Sequence, residues 1–174
     1  MKILITGSNG FLASNFIKIY NKNFKKIIGI SKSKKKYLYK NYKHYSFDIN
    51  DLIQFKKILK KEKPNILLLA ASNSIVGESE INPIETLRTN TFSQAEIYEI
   101  IRKIDSEIII ISLESILLYG NTVSKKMSKL KEDNNAVPSN TYQYSKYLLS
   151  KISNLYKNNF NLKIYSLRPA SLFG

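Results

Sequence analysis

Short continuous apolar runs alternate with amphipathic stretches along this chain. Runs at Lys2–Thr6, Lys26–Ile30, His44–Phe47, Asn65–Ala71, Glu107–Leu113 and Lys163–Leu167 are mostly rich in isoleucine or leucine. They read as strands, most of them buried on both faces. Helical spacing occupies Phe11–Tyr20, Asp51–Lys61, Pro83–Ile104 and Thr141–Asn158, with Asp51 as an N-cap. Strands and helices in alternation imply a parallel sheet covered on both sides. Six strands with short connections point to an α/β doubly wound fold. No repeat or linker interrupts the 174 residues, a length suited to one core. The polar, lysine-rich stretch Asn121–Asn140 reads as a mobile flap.

Composition changes this picture in a few places. The chain has no cysteine, which excludes disulfides and thiol chemistry and fits a reducing, cytoplasmic compartment. With a single histidine as well, a structural metal site is not expected. No apolar run reaches membrane-spanning length, and Met1 opens directly on a strand with no secretory signal visible. The formal net charge is +15, yet only Arg88, Arg102 and Arg168 among 28 basic residues are arginine. Nucleic acid is usually gripped by arginine forks, so the excess reads as a solvated lysine surface and no nucleic-acid partner is expected. Residues 1–47 hold eleven lysines and no acid, which makes the N-terminal third a positive field.

The first candidate site follows the first strand. In "MKILITGSNGFLASNFIKIY", Gly7 and Gly10 frame the passage from strand to helix, and Ala13 is small enough for the helix to pack close. Such a turn leaves free backbone N–H groups at a helix start, where a pyrophosphate binds. In doubly wound folds this is the dinucleotide position. An acid at the end of the second strand would hold the ribose 2′-hydroxyl; "KKIIGISKSKKK" instead places Ser31 and Lys32 there, with Lys34 and Lys35 beyond. A hydroxyl beside a cation suits a 2′-phosphate, which favours NADP(H) over NAD(H). Asp48 and Ile49 follow the third strand, where Asp48 is placed either to accept from adenine or to cap a helix.

A second constellation lies later. "IIIISLESILLYG" places Ser115 at the end of a buried strand, and "PSNTYQYSKYLLSK" places Tyr142 and Lys146 on one helix face. A lysine beside a tyrosine lowers the phenol pKa, and such a tyrosine exchanges a proton with an alcohol oxygen. Ser115 is placed to hydrogen-bond the same oxygen, and Lys146 to hold the nicotinamide ribose.

With these motifs in register from Met1 to Gly174, the chain resembles an extended short-chain dehydrogenase/reductase of the NAD-dependent epimerase/dehydratase family, a Rossmann fold. "TGSNGFLA" resembles the family's TGxxGFxG turn, with Ala13 in place of the last glycine. The resemblance implies cofactor contacts from Gly7, Asn9, Gly10, Phe11 and Leu12. "LLLAAS" implies that Ala70, Ala71 and Ser72 pass near the cofactor. "VGESEINPIETLRTN" is similar to sugar-nucleotide 4-epimerases, its Asn90 matching the asparagine that supports the active-site strand. "SILLYG" and "YQYSK" carry the catalytic roles to Ser115, Tyr142 and Lys146. "LRPASLFG" brings Pro169 and Ala170 to the nicotinamide, with Ser171 where the family often has asparagine. Ile116 and Leu117 stand where dehydratases carry acids, which disfavours water expulsion. The family continues beyond Leu172–Gly174 with a domain that completes the sugar pocket, so the chain is expected to be a fragment or to borrow that half.

The implied activity is hydride transfer at a carbon of a nucleoside-diphosphate sugar, as an epimerase or a keto-sugar reductase. Related enzymes imply a homodimer through the helices carrying Asn90 and Tyr142. A non-catalytic dinucleotide-binding module remains the alternative.

Overall fold

The computed structural model describes residues 1–34, 37, 39–120, 130–170 and 172. Six parallel strands form one sheet: β1 (Lys2–Thr6), β2 (Lys26–Ser31), β3 (Tyr42–Ser46), β4 (Ile66–Leu69), β5 (Ile109–Leu113) and β6 (Ile164–Leu167). Their order across the sheet is β3-β2-β1-β4-β5-β6. The order reverses between β1 and β4, which opens a crevice at the C-terminal ends of these strands. The helices are α1 (Phe11–Tyr20), α2 (Leu52–Glu62), α3 (Val76–Ile81), α4 (Pro83–Leu87), α5 (Ser93–Ile104) and α6 (Thr141–Phe160).

Alternating side chains decide which face each strand residue serves. Leu4, Ile28, Ile30, Leu67 and Ile110 pack with Phe55, Ile97, Tyr98 and Leu149 of α2, α5 and α6. Ile3, Ile5, Ile27 and Leu68 pack with Ala13 and Ile17 of α1 on the other face. Each such aliphatic side chain contributes about 1.5–3 kcal/mol on burial. A slip of one residue would exchange the two faces, so the pairing of Leu4 with Ile28 and Leu67 is strongly specified.

Several boundaries differ from the sequence reading. β3 starts at Tyr42 rather than His44, because Tyr42 is buried edge-on against Tyr37, with ring centroids 5.3 Å apart. β4 ends at Leu69 rather than Ala71: the Ala70 and Ala71 N–H groups turn to the Thr6 hydroxyl, at 3.1 Å each. The single helix expected over Pro83–Ile104 is interrupted by a π-helical turn at Arg88–Phe92. That turn buries Thr89, Asn90 and Thr91 together. The α3 segment has no counterpart among the expected helices. Asp51 caps α2 as expected, accepting from the Gln54 N–H at 3.0 Å. Helix α6 passes the expected Asn158 and stops at left-handed Asn161 (φ 54°).

Of the expected flap, residues 121–129 lie outside the described residues, as do Lys35, Ser171 and Gly174. The Val137 N–H bonds the Tyr119 carbonyl at 3.1 Å, which ties Val137 to the end of the 3₁₀ turn that follows β5. Among the described residues no helix is long and apolar enough to cross a membrane.

Candidate functional site

The turn after β1 is built for close approach. Gly7 has φ +62°, and an added Cβ would lie 2.8 Å from the Ala70 carbonyl oxygen and the Ala71 backbone. Only glycine fits there without strain. The Ser8 N–H bonds the Ile30 carbonyl, and the Gly10 N–H closes onto the Gly7 carbonyl at 2.8 Å. Gly10 is the N-cap of α1, with no side-chain cap and no acid in the first turn. The Phe11, Leu12 and Ala13 N–H groups therefore have no partner within the helix, and no acid of its own first turn offsets its positive end.

This turn forms one wall of a cavity of about 500 Å³, to which Gly7, Gly10, Phe11, Leu12, Ala70 and Ser72 contribute. Ser115, Tyr142, Lys146, Pro169 and Ala170 line the same cavity. A smaller hollow of about 190 Å³ adjoins it at Gly7 and Ser72 and is lined by Ser31, Lys32, Ile49 and Ala71. Three expected cofactor residues lie off these walls. The Asn9 amide donates to the Ser33 hydroxyl at 2.7 Å and the Lys34 carbonyl at 2.8 Å, pinning the loop after β2 over the glycine turn. Asp48 pairs with Lys32 and accepts from the Asn50 N–H. Asn90 is wholly buried behind the wall. It accepts from the Ser72 hydroxyl and the Asn73 N–H, and donates to the Asn73 carbonyl and the Ser145 hydroxyl. It braces the Ser72–Asn73 segment against α6.

Strand β5 stops at Leu113, and Ser115 caps the short 3₁₀ turn Ile116–Tyr119, its hydroxyl accepting from the Leu117 N–H at 3.1 Å. On α6, residues 142, 145, 146, 149, 150 and 153 form the buried stripe, so Tyr142 and Lys146 both face inward. The Lys146 ammonium donates to the Leu113 carbonyl at 3.0 Å and lies 5.9 Å from the Tyr142 ring centroid. Burial brings the Lys146 pKa down to about 8, with the Glu114 charge pulling it up. Burial also pushes the Tyr142 phenol above its ordinary value, against a lowering hydrogen bond with Ser115. This corrects the expectation of a lowered phenol: spacing places the lysine nearby, but desolvation of the ring is the larger effect.

Two neighbours of the site escape the sequence reading. Glu114 is buried, and its Oε2 accepts from the Arg168 Nε at 2.8 Å. Arg168 also donates to the Tyr119 hydroxyl, the Glu132 carbonyl and the Ser150 hydroxyl. It thereby joins the β6 exit, the 3₁₀ turn and α6. A lone acid ending an apolar run, with an arginine at the same level of the next strand, was the signal available. Ile116 and Leu117 line the same cavity.

The N–H groups at the α1 start, the Gly7 cradle and the cavity beside them suit a dinucleotide. Sheet order and turn together define a dinucleotide-binding Rossmann fold. The profile of the NAD dependent epimerase/dehydratase family matches residues 3–174, and the chain belongs to that family. It is similar to an uncharacterized protein of Methanocaldococcus jannaschii, 25% identical over 187 residues, covering 99% of this chain and 56% of that protein. It is similar to the UDP-glucose 4-epimerase of Lactobacillus helveticus, 25% identical over 155 residues, covering 87% of this chain and 46% of that one. Its fold matches the UDP-glucose 4-epimerase of Thermotoga maritima solved with UDP-glucose, with TM-score 0.90 and 23% identity over 100% of this chain and 57% of that one. The chain spans about half the length of the curated relatives it matches.

Proposed function

We propose that this chain forms the dinucleotide-binding half of a nucleotide-sugar epimerase or keto-sugar reductase that uses NAD(P). One observation carries the reading: the glycine turn and the Ser115, Tyr142 and Lys146 side chains open onto a single cavity. Bound NAD(P) supplies hydride exchange with a sugar carbon. Tyr142 takes or returns the proton of the sugar hydroxyl whose carbon changes oxidation state. Ser115 holds that oxygen in line with the phenol. Lys146 lies beneath the ring and favours the phenolate as the proton leaves. Ile116 and Leu117 offer no acid for water expulsion, which leaves epimerisation and carbonyl reduction. The similarity to 4-epimerases supports the first, and Ser31 with Lys32, which suit a 2′-phosphate, supports the second through NADP(H).

The substrate class is a nucleoside-diphosphate sugar, a reading supported by the similarity to UDP-glucose 4-epimerases. A homodimer is supported by an exposed apolar stripe: Tyr144, Leu148 and Leu155 on α6, with Phe92 on the π-helical turn.

The test is turnover of a panel of UDP- and dTDP-linked sugars and keto-sugars by the full-length protein, with Tyr142→Phe as the comparison. The variant is expected to keep dinucleotide binding and lose turnover by about 10²–10⁴-fold. Dinucleotide binding with no Tyr142-dependent turnover overturns the enzyme reading and leaves a binding module.

A further inference from the structure

We propose that Arg168 and Glu114 are a positioning pair for Ser115: their ion pair locks the joint that carries the serine to the end of β6 and so holds its hydroxyl at one place in the cavity. The inference deepens the reading of Ser115, Tyr142 and Lys146 as the reacting set and rests on it.

Strand β5 ends at Leu113 and the 3₁₀ turn starts at Ile116, so Glu114 and Ser115 form the joint between them. The chain leaving β6 sets the direction of that joint. The Glu114 N–H donates to the Leu167 carbonyl at 2.8 Å, and the Ile116 N–H donates to the Pro169 carbonyl at 3.1 Å. These two bonds bracket Ser115 on one segment and Arg168 on the other. Two bonds leave the segments free to twist about the line that joins them. A third contact off that line removes the freedom, and the Arg168 Nε supplies it by donating to the Glu114 carboxylate at 2.8 Å. No part of the Glu114 side chain is exposed, and only a fifth of the Arg168 side chain is.

Arg168 also refers the joint to the helix that carries the phenol. It donates to the Tyr119 hydroxyl at the far end of the 3₁₀ turn, with its guanidinium carbon 5.4 Å from that ring's centroid. It donates to the Ser150 hydroxyl on α6 and to the Glu132 carbonyl, both at 3.0 Å. Ser150 shares the buried stripe of α6 with Tyr142, about two turns further on. One planar guanidinium therefore fixes the turn of Ser115 and the helix of Tyr142 to the same point. The hydrogen bond between Ser115 and the Tyr142 phenol depends on that registration. A lysine ammonium lacks the fork that reaches several directions at once.

Stability alone is a poor account of the pair. Glu114 Oε1 is buried without a hydrogen-bond partner among the described residues, so part of the carboxylate's desolvation stays uncompensated. Buried ion pairs are often replaceable by apolar side chains with no loss of stability. The directional hold on Ser115 is what an apolar pair would not supply.

Position and stability separate in an NMR spectrum of the full chain labelled with ζ-¹³C tyrosine. The Tyr142 signal is assigned by its loss in Tyr142→Phe, and Ser115→Ala supplies the reference for a phenol without the serine. Arg168→Gln is expected to move the Tyr142 signal most of the way to that reference. Because this variant strands Glu114, the double change Glu114→Leu/Arg168→Met is measured beside it. Its melting temperature is expected to stay close to that of the wild type, with the Tyr142 signal displaced in the same direction. A Tyr142 signal at the wild-type position in the folded double variant overturns the proposal and leaves the pair as a strut for the β6 exit. A second readout is turnover of the best substrate among UDP- and dTDP-linked sugars. The double variant is expected to lose about 10–10²-fold in kcat with KM and NADH affinity retained; a raised KM with unchanged kcat overturns the proposal. A wild type that turns over no sugar nucleotide overturns the enzyme reading, while the tyrosine signal still decides what holds Ser115.

Discussion

The Lys32 ammonium and the Asp48 carboxylate meet at 2.8 Å across the C-terminal ends of β2 and β3. The hydrogen bond to Asp48 raises the Lys32 pKa. Burial works against the Asp48 charge, but the bonds from Lys32 and the Asn50 N–H outweigh it and hold the carboxyl below its ordinary value. Glu85 adds a second carboxylate 3.9 Å from the same ammonium. A cation proposed to meet a 2′-phosphate is therefore already engaged.

The ion pair is largely exposed, and such pairs are worth about 0.2–1 kcal/mol. A phosphate can displace it, at a cost of a few-fold in affinity. NADPH is expected to raise the melting temperature more than NADH does at low salt. Lys32→Ala should erase the difference, and Asp48→Asn should strengthen NADPH binding several-fold by freeing the lysine. Equal stabilisation by the two coenzymes in the wild type removes the 2′-phosphate reading.

Gly7 and Gly10 occupy the same turn but tolerate change unequally. At Gly7 the positive φ and the 2.8 Å approach to Ala70 and Ala71 act together. At Gly10 φ is −70°, and the nearest atom to an added Cβ is the Gly7 carbonyl oxygen at 3.1 Å. Gly7→Ala is expected to destabilise the fold by on the order of 2 kcal/mol in urea unfolding, and Gly10→Ala by less. Stabilisation by dinucleotide should fall in both, since each methyl sits at the phosphate-facing turn. Matching unfolding midpoints for the two variants would contradict the assignment of strain to Gly7.

What the sequence makes legible follows from how local the cause is. The glycine turn is readable because a positive φ beside a neighbouring strand demands a residue type that shows directly in the text. Tyr142 and Lys146 are readable because helical spacing alone puts them on one face. The π-helical turn at Arg88–Phe92 has no local signal; it arises where Asn90 and Thr91 must both reach Ser145 on α6. Glu114 and Arg168 stand 54 positions apart and meet only through the pairing of β5 with β6. The rise of the Tyr142 phenol is equally non-local, because spacing reports the nearby lysine whereas desolvation depends on the whole fold.

The exposed stripe on α6 bears on assembly. Tyr144, Leu148 and Leu155 recur at helical spacing on the side away from the sheet, and Phe92 on the π-helical turn is exposed as well. Charge placed there should split a dimer while sparing the cavity. Leu148→Glu with Leu155→Glu is expected to sediment as a monomer with NADH binding retained. A wild type that is monomeric at tens of micromolar would remove the dimer from the proposal.

Glu62 offers a test of the sheet edge that is independent of any ligand. It ends α2, is almost wholly buried, and receives the ammonium groups of Lys26 at 2.5 Å and Lys43 at 2.9 Å and the Tyr45 hydroxyl at 2.5 Å. Burial raises its pKa, but these donors together bring it down to about 2 from an ordinary 4.5. A carboxyl with a depressed folded-state pKa binds fewer protons folded than unfolded between those values. Its contribution is therefore complete above about 4.5 and disappears as the pH falls toward 2. Glu62→Gln is expected to lose on the order of 2 kcal/mol at pH 7, the scale of charged hydrogen bonds. The deficit relative to wild type should shrink steadily from pH 4.5 to 2 in urea unfolding series. Glu99, which also titrates low beside Arg102 and Lys103, is unchanged in both proteins and cancels in the difference. A deficit that stays constant over that interval would show that Glu62 acts by packing and not through its charge.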